Sequence, residues 1–323
     1  MNKVQKHFDS ERFFSRKAMV FFFALICTLL WGSAFPCIKR GYEVFHIQDG
    51  EMGSQMLFAG VRFLIAGVAT ILISLGTEKK EYKKQVFGKW PLSGIFLVAF
   101  VQTFLQYVFY YVGMAHVTGV KGAILNGSMA FFCVVIACIF YKGKERLTHD
   151  KLVGCLLGMA GVVIVNLGKG ELGSSFSLLG EGFMLLSAIV AALGSLANKE
   201  VSRHMGPITL CGWQLTVGSF MLIVFGIVTG GKLSIEEAGT SGVILLLYLA
   251  FISCVAFGLW TVLLKYNPMG RVTIYNFLIP VFGTIMSTLF LGDEIGNRYT
   301  LLALPLVCGG IYLVNRVKKD FSE

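Results

Sequence analysis

Gly143–Asn166 reads GKERLTHDKLVGCLLGMAGVVIVN, and a stretch starting 149 residues later, Gly292–Asn315, reads GDEIGNRYTLLALPLVCGGIYLVN. Seven of the 24 aligned positions are identical, and almost all the others keep their apolar or polar character. A match of this strength counts only if the rest of the chain repeats on a similar period, and it does. Trp31-Gly32-Ser33 answers to Leu193-Gly194-Ser195 at an offset of 162, Gly60-Val61-Arg62 to Gly212-Trp213-Gln214 at 152, and Gly119 to Gly270 at 151. Connections of unequal length absorb the drift. The chain therefore reads as two repeats, 18–168 and 176–317, between short tails at 1–17 and 318–323.

Composition decides the solvent. With 55% apolar and 14% charged residues and a mean hydropathy of +0.73, the chain has too little polar surface to coat a soluble domain. Crossing a bilayer core takes roughly 20 helical residues, and ten segments qualify, near 18–38, 56–76, 91–115, 120–141, 150–167, 177–197, 208–229, 242–264, 272–291 and 300–316. Their apolar runs are continuous rather than alternating, which excludes barrel strands. The fold class is an all-α polytopic membrane protein, and the first apolar run, without a small-residue cleavage site, is an uncleaved first span.

Orientation follows from the basic residues. Alternate connections, together with both tails, hold 21 Lys and Arg against 6 in the other connections. The positive-inside rule therefore places both termini in the cytoplasm of a cell-membrane protein. Five spans per repeat is an odd number, so the second repeat enters the membrane upside down. Two inverted five-helix repeats about a pseudo-two-fold axis are the arrangement of alternating-access transporters.

WGSAFPCIK in span 1, VRFLIAG in span 2, and LIPVFGTIMSTLFLGDEI over 278–295 resemble the EamA type of the drug/metabolite transporter superfamily. So does the Gly-x-Glu turn leading to a helix with a late Ala-Gly or Gly-Gly pair in spans 4–5 and 9–10. The resemblance covers nearly the whole chain outside the tails. It implies a ten-helix bundle that carries small metabolites, often amino-acid-like compounds or drugs. The chain departs from the pattern in two places: nothing in span 4 matches Pro280, and span 6 lacks the Trp of span 1.

The polar groups inside the spans are the candidate site. Arg62, about seven residues into span 2, either attracts an anionic group such as a substrate carboxylate or snorkels to the interface and pairs with carbonyls. Its nearness to the external end and its replacement by Gln214 in the other half favour the second reading. Asn126 and Asn276, 150 residues apart, are related by the pseudo-axis. They either bond a polar substrate without contributing charge or tie helices together. Gln106, Tyr107 and Tyr110 share one face of span 3 and suit an aromatic or amphipathic molecule, with an interfacial aromatic belt as the alternative for Tyr110 and Tyr111. Trp31 and Trp260 sit deep enough to line a pathway. Glu145 and Glu294 are read as partners of the N-termini of helices 5 and 10. The glycines of spans 5 and 10 are read as scaffold, or as the surface of a homodimer.

Other classes fare worse. The five His lie in tails or loops, there is no HExxH or GxSxG, and the eight Cys fall in apolar runs without metal-site spacing, so no enzyme, metal or cofactor is expected. The net charge of +10 is scattered in short tracts without a nucleic-acid motif. The partners expected are a small-molecule substrate and the lipid bilayer. A secondary transporter of a small neutral or zwitterionic metabolite is the reading, provided Arg62 does not face the cavity. A channel or a sensor without transport turnover is the alternative.

Overall fold

The computed structural model describes residues 10–48, 50–78, 86, 89–117, 119–142, 145–167, 176–291 and 297–316, and no strand occurs among them. The helices are α1 (Lys17–Val44), α2 (Met52–Thr77), α3 (Lys89–Val98, then Ala99–Leu105 and Gln106–Met114) and α4 (Gly119–Gly127 and Met129–Phe140). They continue as α5 (His149–Leu167), α6 (Leu178–Gly182 and Phe183–Ser202), α7 (Pro207–Val228) and α8 (Ile235–Tyr266). The last are α9 (Met269–Thr273, Ile274–Phe277 and Leu278–Leu291) and α10 (Asn297–Arg316). Against the expectation of ten spans, 8 helices among the described residues are long and apolar enough to cross a membrane, and Leu301–Arg316 in α10 is a shorter apolar stretch. Residues 143–144 and 292–296 of the repeated stretch lie outside the described residues, so Glu294 is not placed.

Besides α8, which kinks at Gly239 where φ is +60°, and α6, which opens in a π turn, helices α9, α4 and α3 depart from the regular ladder. Pro280 has no N–H to give to the carbonyl four residues earlier, and the chain just before it tightens into a 3₁₀ turn at Ile274–Phe277. In α4 the break falls at Ser128, after Gly127, where the Ser128 hydroxyl bonds back to the Leu125 carbonyl at 2.5 Å. The middle of α3 widens into a π segment at Ala99–Leu105.

The largest helix pairings are α2 with α7, α5 with α10, α1 with α9 and with α8, and α6 with α3 and with α4. Small residues set the closest of them. A Cβ at Gly154 would stand 2.7 Å from the Gly310 carbonyl oxygen, so α5 and α10 meet backbone to backbone only because neither carries a side chain there.

Hydrogen bonds sort the connections by end. Asn267 Nδ2 reaches the Phe14 carbonyl at 3.0 Å, Glu78 takes the Thr209 amide at 3.0 Å and Glu145 the Met269 amide at 2.8 Å. The N-terminal segment and the connections after α2, α4, α6 and α8 thus share what we call the basic end. At the opposite end the connections after α1 and α7 meet, with Lys232 N donating to Ser54 Oγ at 3.1 Å.

Candidate substrate-binding site

Arg62 lies ten residues after Met52, the start of α2. That is ~15 Å along the axis, half of a bilayer core of ~30 Å. The helix starts four residues earlier than the apolar run suggests, so Arg62 lies further from the helix end than the sequence implied. It is only 6% exposed, and its Nε has no hydrogen-bond partner. Its guanidinium sits 4.4 Å from the centre of the Phe63 ring and against the Tyr107 hydroxyl. The Tyr42 and Tyr111 hydroxyls are neighbours of each other beside it.

Rings extend the site away from this charge. Tyr107 stacks edge-on to Phe63 at 5.0 Å, Phe63 to Phe257 at 5.9 Å, Phe257 to Trp31 at 5.4 Å and Trp31 to Trp260 at 5.0 Å. Tyr110 joins through Tyr107 at 6.4 Å and Tyr111 at 5.5 Å. Four helices, α1, α2, α3 and α8, therefore build one aromatic wall with a guanidinium at one end. The Trp31 indole N–H is buried without a partner. Of the sequence candidates, Arg62, Tyr107, Tyr110, Trp31 and Trp260 come together here. Tyr111, 6% exposed and packed on Tyr110, is part of the cluster rather than of a belt.

Among the described residues Gln106 and the asparagines make no hydrogen bond to it, and Gln106 contacts α6 through its backbone carbonyl. The Gln106 carbonyl accepts from Ser187 Oγ of α6 at 3.1 Å. Asn126 lies seven residues after Gly119 and Asn276 seven after Met269, ~10 Å in from opposite ends. Both flank the breaks in α4 and α9. Asn276 is 7% exposed and its Oδ1 lacks a partner, while Asn126 is half-buried. Neither bonds to the Arg62 cluster among the described residues.

Sequence reasoning missed a buried polar set nearer the basic end. Asn198 Nδ2 bonds Gln102 Oε1 at 3.0 Å and Thr261 Oγ1 at 3.3 Å, and Thr103 donates to Gln214 at 3.1 Å. Arg62 is not the sole cation within a helix: Lys199 is 5% exposed, and its Nζ donates to the Leu264 carbonyl at 2.8 Å and to that of Asn267. Glu145 and Glu200 are the carboxylates that act on it. Glu145 itself caps α9 rather than helix 5, accepting from Met269 N at 2.8 Å and Gly270 N at 3.1 Å. Gly270 makes room, since its Cβ would stand 3.1 Å from Glu145 Oε2. Tyr141, just past α4, donates to Glu200; burial and then that carboxylate raise its pKa, so the proton stays on the phenol. The signal available in sequence was Asn198-Lys199-Glu200, three polar residues closing an apolar run.

At the opposite end a groove of about 540 Å³ opens between α1 and α8, lined by Ser33, Pro36, Cys37, Arg40, Tyr248 and the α9 residue Phe290. Ser33 Oγ and the Tyr248 hydroxyl are 3.2 Å apart across it.

The profile of the EamA-like transporter family matches residues 18–167 and 178–316. An uncharacterized transporter of Bacillus subtilis (strain 168), YvbV, is 27% identical over 309 residues, 94% of this chain and 93% of its own. The chloroplastic WAT1-related protein At3g02690 of Arabidopsis thaliana is 26% identical over 88% of this chain and 66% of its own length. An uncharacterized transporter of Archaeoglobus fulgidus is 26% identical over 88% of this chain and 95% of its own. A protein known from a crystal structure shares the fold with a TM-score of 0.75 at 15% identity, over 95% of this chain and 99% of that one. Two matched stretches that take in nearly every described helix, in a chain of apolar helices, have one meaning: this chain belongs to the EamA-like transporter family and is a multi-pass membrane transporter.

Proposed function

We propose that the protein is a secondary transporter that moves a small metabolite of amino-acid or drug size by alternating access, in the cell membrane with both termini cytoplasmic. In this reading it has ten spans in two inverted five-helix repeats, 18–168 and 176–317, joined to cytoplasmic tails at 1–17 and 318–323. The observation that carries it is the Arg62–aromatic site, at mid-depth and built from both halves: α1, α2 and α3 from the first, α8 from the second. The packing supports the inverted symmetry. Exchanging the halves turns α1–α9 into α6–α4 and α1–α8 into α6–α3, and leaves α2–α7 and α5–α10 in place. The two family matches divide the chain near the same point.

Substrate reaches the site from the end with the groove while the basic end is tied shut by Glu78, Glu145 and Lys199; rocking the halves reverses this. The sequence expected a neutral or zwitterionic cargo on the condition that Arg62 stay out of the cavity. With Arg62 among the tyrosines, the carboxylate of a zwitterion has a partner and a neutral compound has none. Asn126, Asn276 and Gln106 remain candidates for a second contact at the helix breaks. We assign no catalytic step, cofactor, metal or nucleic-acid partner, and we place a homodimer contact, if two copies pair, on the small-residue faces of α5 and α10.

Counterflow in proteoliposomes tests the reading. Liposomes preloaded with an unlabelled amino-acid mixture should accumulate labelled substrate saturably and transiently. A linear, non-saturating flux means a channel, and no flux with binding intact means a sensor. Labelling of an engineered cysteine in the 79–85 segment from the cytoplasmic side only is the expected topology result; labelling from outside overturns it.

A further inference from the structure

Arg62 is a full positive charge in the middle of the bundle, and nothing among the described residues neutralises it. The charged groups that act on Tyr42, Tyr107, Tyr110 and Tyr111 are Arg62 and one another, with no Asp or Glu among them. Two ion pairs, Arg40 with Glu43 and Arg203 with Glu200, lie elsewhere. Burying an unpaired cation is costly, and side chains of this kind inside membrane proteins are kept where they meet a partner or a substrate. The guanidinium holds five donors. The Tyr107 hydroxyl can receive only some of them, and Nε has no acceptor. The surrounding phenols, having pKa values near 10 in water, are further donors. A site of one guanidinium and several hydroxyl donors, with no carboxylate, is built for a negative charge and offers an ammonium ring faces and hydroxyl oxygens but no opposite charge, with a like charge beside them.

We infer that Arg62, with the hydroxyls of Tyr42, Tyr107 and Tyr111, binds an organic monoanion, a single carboxylate on an aromatic or similarly apolar body, in preference to a neutral or zwitterionic compound. The carboxylate takes the guanidinium fork, and the body lies along Phe63, Phe257, Trp31 and Trp260. One cation sets the charge of the cargo at one; a phosphate ester or a dicarboxylate lacks a second basic group here. The inference rests on the transport reading above for its cargo, but the binding preference is measured separately from transport.

The test uses the full-length protein in proteoliposomes and three probes that share a phenyl ring and chain: 3-phenylpropionate, 3-phenylpropanamide and L-phenylalanine. Equilibrium binding is expected to favour the carboxylate over the amide by about tenfold or more, the worth of a charge-assisted hydrogen bond, and over the zwitterion by a smaller factor. Arg62→Gln should erase the preference, and Arg62→Lys should keep part of it, which a residue that only supports the fold would not do. Equal binding of carboxylate and amide, a preference that survives in Arg62→Gln, tighter binding of L-phenylalanine, or no binding of the carboxylate overturns the inference. Should Arg62→Gln fail to fold, the wild-type probe series decides by itself. Counterflow with the same probes separates the two claims. An amide or amino acid carried in place of the carboxylate leaves transport standing and the anion preference fallen. Arg62-dependent binding without counterflow does the reverse.

Discussion

Arg62 and Lys199 are both buried cations in membrane-length helices, 6% and 5% exposed, and they sit in opposite surroundings. Lys199 spends its donors on the Leu264 and Asn267 carbonyls at the C-terminus of α8, the negative end of a helix dipole, with Glu145 and Glu200 nearby. Its charge is answered within the protein, so it holds structure. Arg62 has hydroxyls and ring faces for company and an Nε that bonds to nothing. Its charge waits for an answer from outside the chain. Burial therefore does not tell a fastening from a binding group; the identity of the neighbours does.

That contrast can be broken by mutation, and the largest effect belongs to Lys199. Lys199→Ala leaves the Leu264 and Asn267 carbonyls without their charged donor and is expected to cost about 3–5 kcal/mol, two hydrogen bonds to a charged group, read as a large fall in melting temperature of the purified protein. Arg62→Gln should do the opposite, lowering carboxylate binding about 100-fold through two lost charge-assisted bonds while the melting temperature holds or rises. Equal stability losses in both variants would erase the distinction. Glu145→Gln sharpens it from the acidic side. One of the two α9 amides then meets an NH₂ group instead of an oxygen, at a cost of about 2 kcal/mol, seen in melting and not in the binding constant. Tyr107→Phe is the smallest, keeping the ring contact with Phe63 and losing one hydroxyl, for a three- to tenfold weaker carboxylate binding from about 1 kcal/mol.

Much of the architecture was legible in the sequence, because membrane helices announce themselves by the length of apolar runs. The site was legible by residue type and less so by place. Arg62 looked interfacial because α2 begins at Met52, four residues before the apolar run, and a polar first turn hides that start. The partnership of Tyr42 with Tyr111 joins α1 to α3 and has no trace in local spacing. Lys199 was counted among loop charges for the same reason: three polar residues in a row read as the end of a span, whereas the α8 carbonyls make a buried ammonium tolerable there. Asn126 and Asn276 were singled out by period; what marks each in the structure is a helix break, one at Gly127 and Ser128 and the other beside Pro280.

The groove between α1 and α8 gives the unmodified protein a built-in reporter. Cys37 lines it half-buried; Cys27, Cys133, Cys155 and Cys211 are buried, and peptide mapping separates Cys37 from the half-buried Cys138 and Cys254 and the exposed Cys308. Maleimides react with a thiolate, and a thiolate forms only where water reaches the sulfur. The rate at which Cys37 is alkylated therefore measures how often water fills that groove, and a cargo that shifts the balance between the two facing states should change the rate without a single engineered residue.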